Sequence, residues 1–247
     1  MKAALTVARR ESRAYWDSPI AYVFLCAFLV TISLFFFQLE GFFARKRASV
    51  ELMFRLLPWM FVFLVPLVTM RLWSEERRTG TEELLLTFPV RIRDVVIGKF
   101  LAAWGLLAVA LVFTLPIPIT VAWLSGGGGA PGLDLGPVAG GYLVALLMGG
   151  AYLAIGLFLS AATQHQIVAA VLTLVALGVL WLLGSDPALS AAPSWLRSWL
   201  EVLSLGSHFH NIERGVVDLR DVAYYATIIG LFLALNGVVI HARRWKG

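Results

Sequence analysis

The sequence predicts an all-α polytopic membrane protein: six transmembrane helices, an N-terminal helix lying at the membrane interface, and short helices in the cytoplasmic connections. Three observations carry that expectation. Of the 247 residues, 60% are hydrophobic and 14% charged, with mean hydropathy +0.83, whereas a soluble domain coats its surface with roughly 25% charged residues. The apolar residues cluster in runs of about 18 or more, enough to cross a hydrocarbon core roughly 30 Å thick. Lysine and arginine are distributed unequally between the connections, as expected when they orient the spans. The one cysteine, Cys26, lies inside an apolar run and excludes a disulfide framework.

Residues 2–17 begin the chain as an amphipathic helix. At 100° per residue, Ala4, Leu5, Ala8, Ser12, Tyr15 and Trp16 fall within one arc of about 120°, and Lys2, Arg9, Arg10 and Arg13 occupy the opposite arc. Arg9, Arg10 and Arg13 suit anionic headgroups, and Tyr15 and Trp16 suit the boundary beneath them. An ordinary positively charged flank is the plainer alternative. The first span, residues 20–39, is too long for the apolar region of a cleavable signal and is followed by Glu40 and a basic cluster.

The second span, residues 52–72, carries Arg55 and Arg71 near its ends, where long basic side chains reach the headgroups. The third, 100–124, contains Pro116 and Pro118, which predict a kink in its outer half. A glycine run at 126–129 makes an external loop. Spans four and five, 138–163 and 167–184, are separated by Gln164, His165 and Gln166 alone. An external amphipathic segment follows. Trp195, Leu196, Trp199, Leu200, Val202 and Leu203 share one face, and Arg197, Ser198, Glu201 and Ser204 share the other. That apolar face suits either the outer membrane interface or packing on the bundle. The last span is 222–240. We read residues 1–247 as one transmembrane domain without an internal repeat.

An even number of spans places both termini on one side. That side receives 13 of the 20 basic residues and the other 7, while the acidic residues divide 7 and 8. The termini are therefore expected in the cytoplasm. The isoelectric point near 9.7 records this asymmetry and does not call for a nucleic-acid partner.

The cytoplasmic connection between spans two and three holds the densest pattern. It reads Ser74-Glu75-Glu76-Arg77-Arg78-Thr79-Gly80-Thr81-Glu82-Glu83-Leu84-Leu85-Leu86-Thr87-Phe88-Pro89. Gly80 is placed to end one helical stretch. Thr81 is placed to cap the next, with Glu82 and Glu83 at its positive end. Leu84, Leu85 and Phe88 form an apolar edge, and Pro89 stops it. A short capped helix of this kind suits docking of a soluble partner; a solvated loop obeying the charge rule is the alternative.

Residues 66–100, PLVTMRLWSEERRTGTEELLLTFPVRIRDVVIGKF, resemble the intracellular signature of ABC-2-type transporter permeases. Residues 159–173, LSAATQHQIVAAVLT, and 207–225, SHFHNIERGVVDLRDVAYY, resemble the gliding-motility-associated branch of that family. The resemblance implies that Glu75, Glu76, Arg77, Gly80, Thr81, Glu82, Leu85 and Pro89 lie in or beside a coupling region that contacts an ATPase subunit. It makes Gln164, His165 and Gln166 a shorter second contact and the N-terminal helix an interfacial elbow. It further implies a multi-pass subunit of a bacterial inner (plasma) membrane. The expected partners are membrane lipids, a separate ABC ATPase and a second permease, identical or distinct with a large extracytoplasmic domain. This chain is expected to bind no cofactor, ATP and Mg being held by the ATPase. ATP hydrolysis would then drive substrate out of the cytoplasm or inner leaflet. Within the family the alternative is a subunit that passes ATP-driven motion to a periplasmic partner without cargo; outside it, an ATP-independent channel or scaffold.

The residues point away from enzymatic chemistry in the chain itself. The only Gly-Lys pair, Gly98-Lys99, is followed by Phe100, and Arg93 stands where a phosphate-binding loop needs its first glycine. Glu75-Glu76 resembles the start of a Glu-Glu-x-x-x-Arg protease motif, but the arginine position is Gly80. His208 and His210 lack the cysteine or carboxylate partners of a metal site. With no ionisable residue at the centre of any span, an ion-coupled relay has no visible carrier.

Overall fold

The computed structural model describes residues 2–39, 50–81, 91–126, 135–207, 209 and 218–244. Helix α1 (Lys2–Trp16) leads through a two-residue turn into α2 (Pro19–Leu34), whose first residue is a proline that needs no N–H partner there. A π-helical turn, Phe35–Leu39, extends α2. Next come α3 (Glu51–Thr69), α4 (Ser74–Arg78), α5 (Ile92–Phe113), α6 (Pro116–Gly126), α7 (Leu135–Ala162), α8 (Gln166–Leu182), α9 (Asp186–Ala191), α10 (Ser194–Leu203) and α11 (Leu219–Arg244). No strand occurs among the described residues.

Among the described residues, five helical stretches are long and apolar enough to cross a membrane: Ala21–Gln38, Glu51–Arg78, Ile92–Trp123, Leu135–Ala162 and Leu219–Arg243. The predicted fifth span is an apolar helix of 17 residues, Gln166–Leu182. The third span starts at Ile92, not at residue 100, so Arg93, Asp94 and Lys99 belong to the helix. It breaks where the prolines predict. Pro116 supplies no N–H, α5 ends at Phe113, and the Thr114 hydroxyl bonds the Leu111 carbonyl at 2.7 Å and the Tyr142 hydroxyl at 2.8 Å.

Helix α7 is the centre of the bundle. Its span is 72% buried, against 17% for α11, and it packs on α3, α5, α8 and α11. Glycines permit the close approach: a Cβ on Gly141 would meet the Phe54 ring, and one on Gly156 would meet Thr69. In a bilayer, where lipid is as apolar as leucine, such small-residue seams supply helix association through packing.

Helix α1 divides its apolar arc between the bundle and the surface. The arc that joined Ala4, Leu5, Ala8, Ser12, Tyr15 and Trp16 is split by packing. Ala4 and Ala8 are buried against α5, whereas Leu5 is 62% exposed and Trp16 39% exposed. The reason is Gly98 on α5, where a Cβ would lie 2.7 Å from Val7 Cβ and 2.9 Å from the Ala4 carbonyl. Arg9, Arg10 and Arg13 remain exposed, as expected. Helix α10 forms as predicted, with Trp195 and Trp199 uncovered and Leu196 and Leu200 half-buried. Hydrogen bonds from the Tyr224 and Tyr225 hydroxyls to the Leu203 and Leu205 carbonyls tie its C-terminal end to α11.

Candidate functional site

Those of the predicted coupling residues that the structure describes, Glu75, Glu76, Arg77, Gly80, Thr81 and Gln164 to Gln166, gather at one end of the bundle, where α1, α4, α5 and the α7–α8 turn converge. The polypeptide leaves α3 through a tight turn at residues 70–73, and Ser160 of α7 holds that turn. Its hydroxyl donates to the Met70 carbonyl at 3.2 Å and accepts from the Trp73 and Ser74 amides at 3.2 and 3.4 Å. Trp73 is wholly buried beneath it.

From this anchor α4 runs for five residues and stops as its sequence predicts. Thr79 N–H bonds the Glu75 carbonyl, Gly80 N–H bonds the Arg77 carbonyl, and Gly80 takes φ +72°, the left-handed conformation that favours glycine. The Thr79 hydroxyl closes the last turn on the Glu75 carbonyl at 2.9 Å. Thr81 turns its hydroxyl back towards α4, 2.9 Å from that of Thr79 and 3.3 Å from the Glu76 carbonyl. Its expected role as a cap for the following residues, together with Glu82, Leu85 and Pro89, lies outside the described residues, as do His208 and His210.

Arg77 joins the two predicted contact segments. Its Nη1 donates to the Thr163 carbonyl at 2.9 Å, in the turn that contains Gln164 and His165. Both of those side chains are exposed; Gln166 is half-buried and begins α8. Residues 78–81 and 164–165 therefore form one exposed surface, mounted on the buried Ser160 anchor.

Glu76, expected in or beside the coupling region, turns its side chain inward. Its Oε1 lies 2.7 Å from Lys99 Nζ of α5, and Glu11 Oε1 of α1 lies 3.4 Å from the same ammonium. Lys99 is 1% exposed and stacks over the Trp73 ring at 5.1 Å. A buried ammonium costs several kcal/mol unless it is paired, and two carboxylates and an aromatic face supply the pairing. The triad pins α1, α4 and α5 together. Glu75 turns instead to Arg71, Oε2 to Nε 3.5 Å. Beside the triad, the Tyr15 hydroxyl donates to the Val68 carbonyl at 3.5 Å. Burial, reinforced by the Glu11 carboxylate, holds that phenol well above its usual range, so it stays a neutral donor.

Sequence reasoning missed Glu11 and Lys99 as site residues. A lysine directly before the apolar run that begins at Phe100 is the available signal, but its partners are 88 and 23 positions away. No group of three or more His, Cys, Asp or Glu side chains among the described residues is placed to hold a metal ion.

Residues 51–217, which is 167 of the 247, match the family described as ABC-2 family transporter protein. The matched stretch takes in α3 to α10 and therefore the Ser160 anchor, the Arg77 bridge and the exposed surface they support. No curated protein matches the chain. The proteins of this family are membrane subunits that normally work with an ABC ATPase subunit and are not ATPases themselves. With its apolar helices and this match, the chain belongs to the ABC-2 transporter family as a multi-pass membrane protein.

Proposed function

We propose that this chain is the permease subunit of an ATP-driven export complex of the gliding-motility-associated branch, seated in a bacterial inner membrane with both termini cytoplasmic. The observation that carries the reading is the exposed surface of residues 78–81 and 164–165. It is formed by two connections distant in sequence, bridged by Arg77 and Thr163 and fixed to the bundle by Ser160. A rigidly mounted, solvent-facing surface at the ends of the spans is what a nucleotide-driven partner needs in order to move helices. The partner ATPase supplies ATP and Mg binding, and α1 acts as an interfacial elbow.

Helix α8 serves as the fifth span and brings the number to six. Seventeen residues at about 1.5 Å each reach roughly 26 Å, close to the thickness of a thin bilayer core. A second permease completes a pathway between two bundles, through which substrate leaves the cytoplasm or inner leaflet.

Affinity purification of the tagged chain in mild detergent, with mass spectrometry of stoichiometric partners, tests this. An ABC ATPase that is lost from Gly80→Pro/Glu82→Lys, while membrane insertion persists, is the expected result. An ATPase retained by that variant removes the coupling role from this segment. A lone chain after cross-linking in native membranes replaces the permease with a channel or scaffold.

A further inference from the structure

A cavity of about 250 Å³ opens beside the Lys99 triad, between α1 and the end of α3. Its polar wall is made by Arg10, Glu11, Arg71, Glu75, Glu76 and Lys99, and Tyr15, Val68 and Leu72 form its apolar floor. We infer that this cavity binds the phosphoethanolamine headgroup of a phospholipid, held as a resident lipid between α1 and the bundle.

Charge, unsatisfied polar atoms and position point to that ligand. Three cationic and three carboxylate side chains make the wall formally neutral, so a headgroup of net charge would leave an unbalanced charge in a partly desolvated site, and a zwitterion would not. Lys99 is committed to Glu11 and Glu76, but the second oxygen of Glu76, Oε2, is buried without a hydrogen-bond partner. Arg71 Nε is likewise buried and faces Glu75 at 3.5 Å without closing a hydrogen bond. A primary ammonium offers the N–H that Glu76 lacks, and a phosphate offers the acceptor that Arg71 lacks. Choline carries no N–H and meets only half of this. The volume suits a headgroup better than a single water.

The inference rests on α1 lying at headgroup depth, as the proposed function has it. There the floor of Tyr15, Val68 and Leu72 would meet the start of the acyl chains.

The test uses the full chain in a neutral detergent, titrated with short-chain phosphatidylethanolamine, phosphatidylcholine and phosphatidylglycerol and with free phosphoethanolamine. Phosphatidylethanolamine is expected to bind at least tenfold more tightly than the other three. Arg10→Gln/Arg71→Gln, which leaves the triad intact, should remove that preference without changing the elution volume on size exclusion. Equal binding of the choline or glycerol lipid, equal binding of free phosphoethanolamine, or an unaffected double variant overturns the assignment. A spin label on Leu5→Cys in a Cys26→Ala background separates the two levels of the argument. A label at aqueous depth overturns the membrane placement of α1 and the inference with it. A label at headgroup depth with no lipid preference overturns the inference alone.

Discussion

Replacing Lys99 by methionine isolates what the triad contributes. The substitution keeps the length of the side chain and its packing over Trp73 but removes the ammonium that lies 2.7 Å from Glu76 and 3.4 Å from Glu11. Both carboxylates are mostly buried, with side-chain exposures of 17% and 18%, and lose their counter-charge together. Breaking a buried pair from one side costs ~3–5 kcal/mol. The residual exposure of the carboxylates puts the loss near the lower figure, about 3 kcal/mol. For a chain of this length 1 kcal/mol corresponds to roughly 2–4 °C, so Lys99→Met should lower the melting temperature by roughly 6–12 °C, read by size exclusion after heating in detergent. The triple variant Glu11→Gln/Glu76→Gln/Lys99→Met removes the charges along with their partner and should recover most of that loss. A single variant as stable as wild type, or a triple variant as unstable as the single, would refute the claim that the triad is a charge-paired pin.

Three further outcomes follow from the same end of the bundle. Ser160→Ala leaves the Trp73 and Ser74 amides without their acceptor; at ~1–3 kcal/mol for an unsatisfied buried group, it should destabilise the chain by about 2 kcal/mol in the same melting assay. Gly80→Ala forces a Cβ into φ +72° but meets no neighbour within 4 Å, so it should cost only about 1–2 kcal/mol, leaving expression intact while reducing recovery of the ATPase in a pull-down. A C-terminal tag should be protected from protease added to intact cells, because 13 of the 20 basic residues lie on its side of the predicted topology; cleavage would invert that topology.

Local chemistry was legible in the sequence, and long-range chemistry was not. Gly80 ends α4 and Pro116 breaks the third span because each effect is confined to a residue's own backbone. Hydropathy places the start of the third span eight residues late, at 100 where the helix begins at Ile92, because it scores Lys99 as an isolated charge. Its neutralisation by Glu11 and Glu76 depends on where the chain returns. The same limit explains α1. A helical wheel joins Leu5 and Trp16 to Ala4 and Ala8 because all four share an arc, but the buried side is selected by Gly98 on another helix. Glu75 and Glu76 read alike in the sequence, as two charges of one coupling region, and only the fold separates them, Glu76 to Lys99 and Glu75 to Arg71.

If α1, α4 and the first turns of α5 are pinned by one ammonium, and Ser160 holds the 70–73 turn beside them, they move as a body, and the break nearest to it in the third span is the Thr114–Leu115 step. A cross-link within the body then tests the transmission path directly. Val7 Cβ lies 2.7 Å from where a Cβ on Gly98 would stand, and a disulfide holds its two Cβ atoms about 3.8 Å apart. Val7→Cys/Gly98→Cys in a Cys26→Ala background therefore needs α1 and α5 to part by about 1 Å, which also relieves the 2.9 Å approach of a Gly98 Cβ to the Ala4 carbonyl. In the assembled complex, oxidising that pair should leave ATP-dependent conformational change and ATPase stimulation within about twofold of the reduced state, because it ties together parts that do not separate. A large loss on oxidation, restored by reductant, would show that α1 slides on α5 during the cycle. The Lys99 triad would then be a latch that opens at every turnover and not a pin.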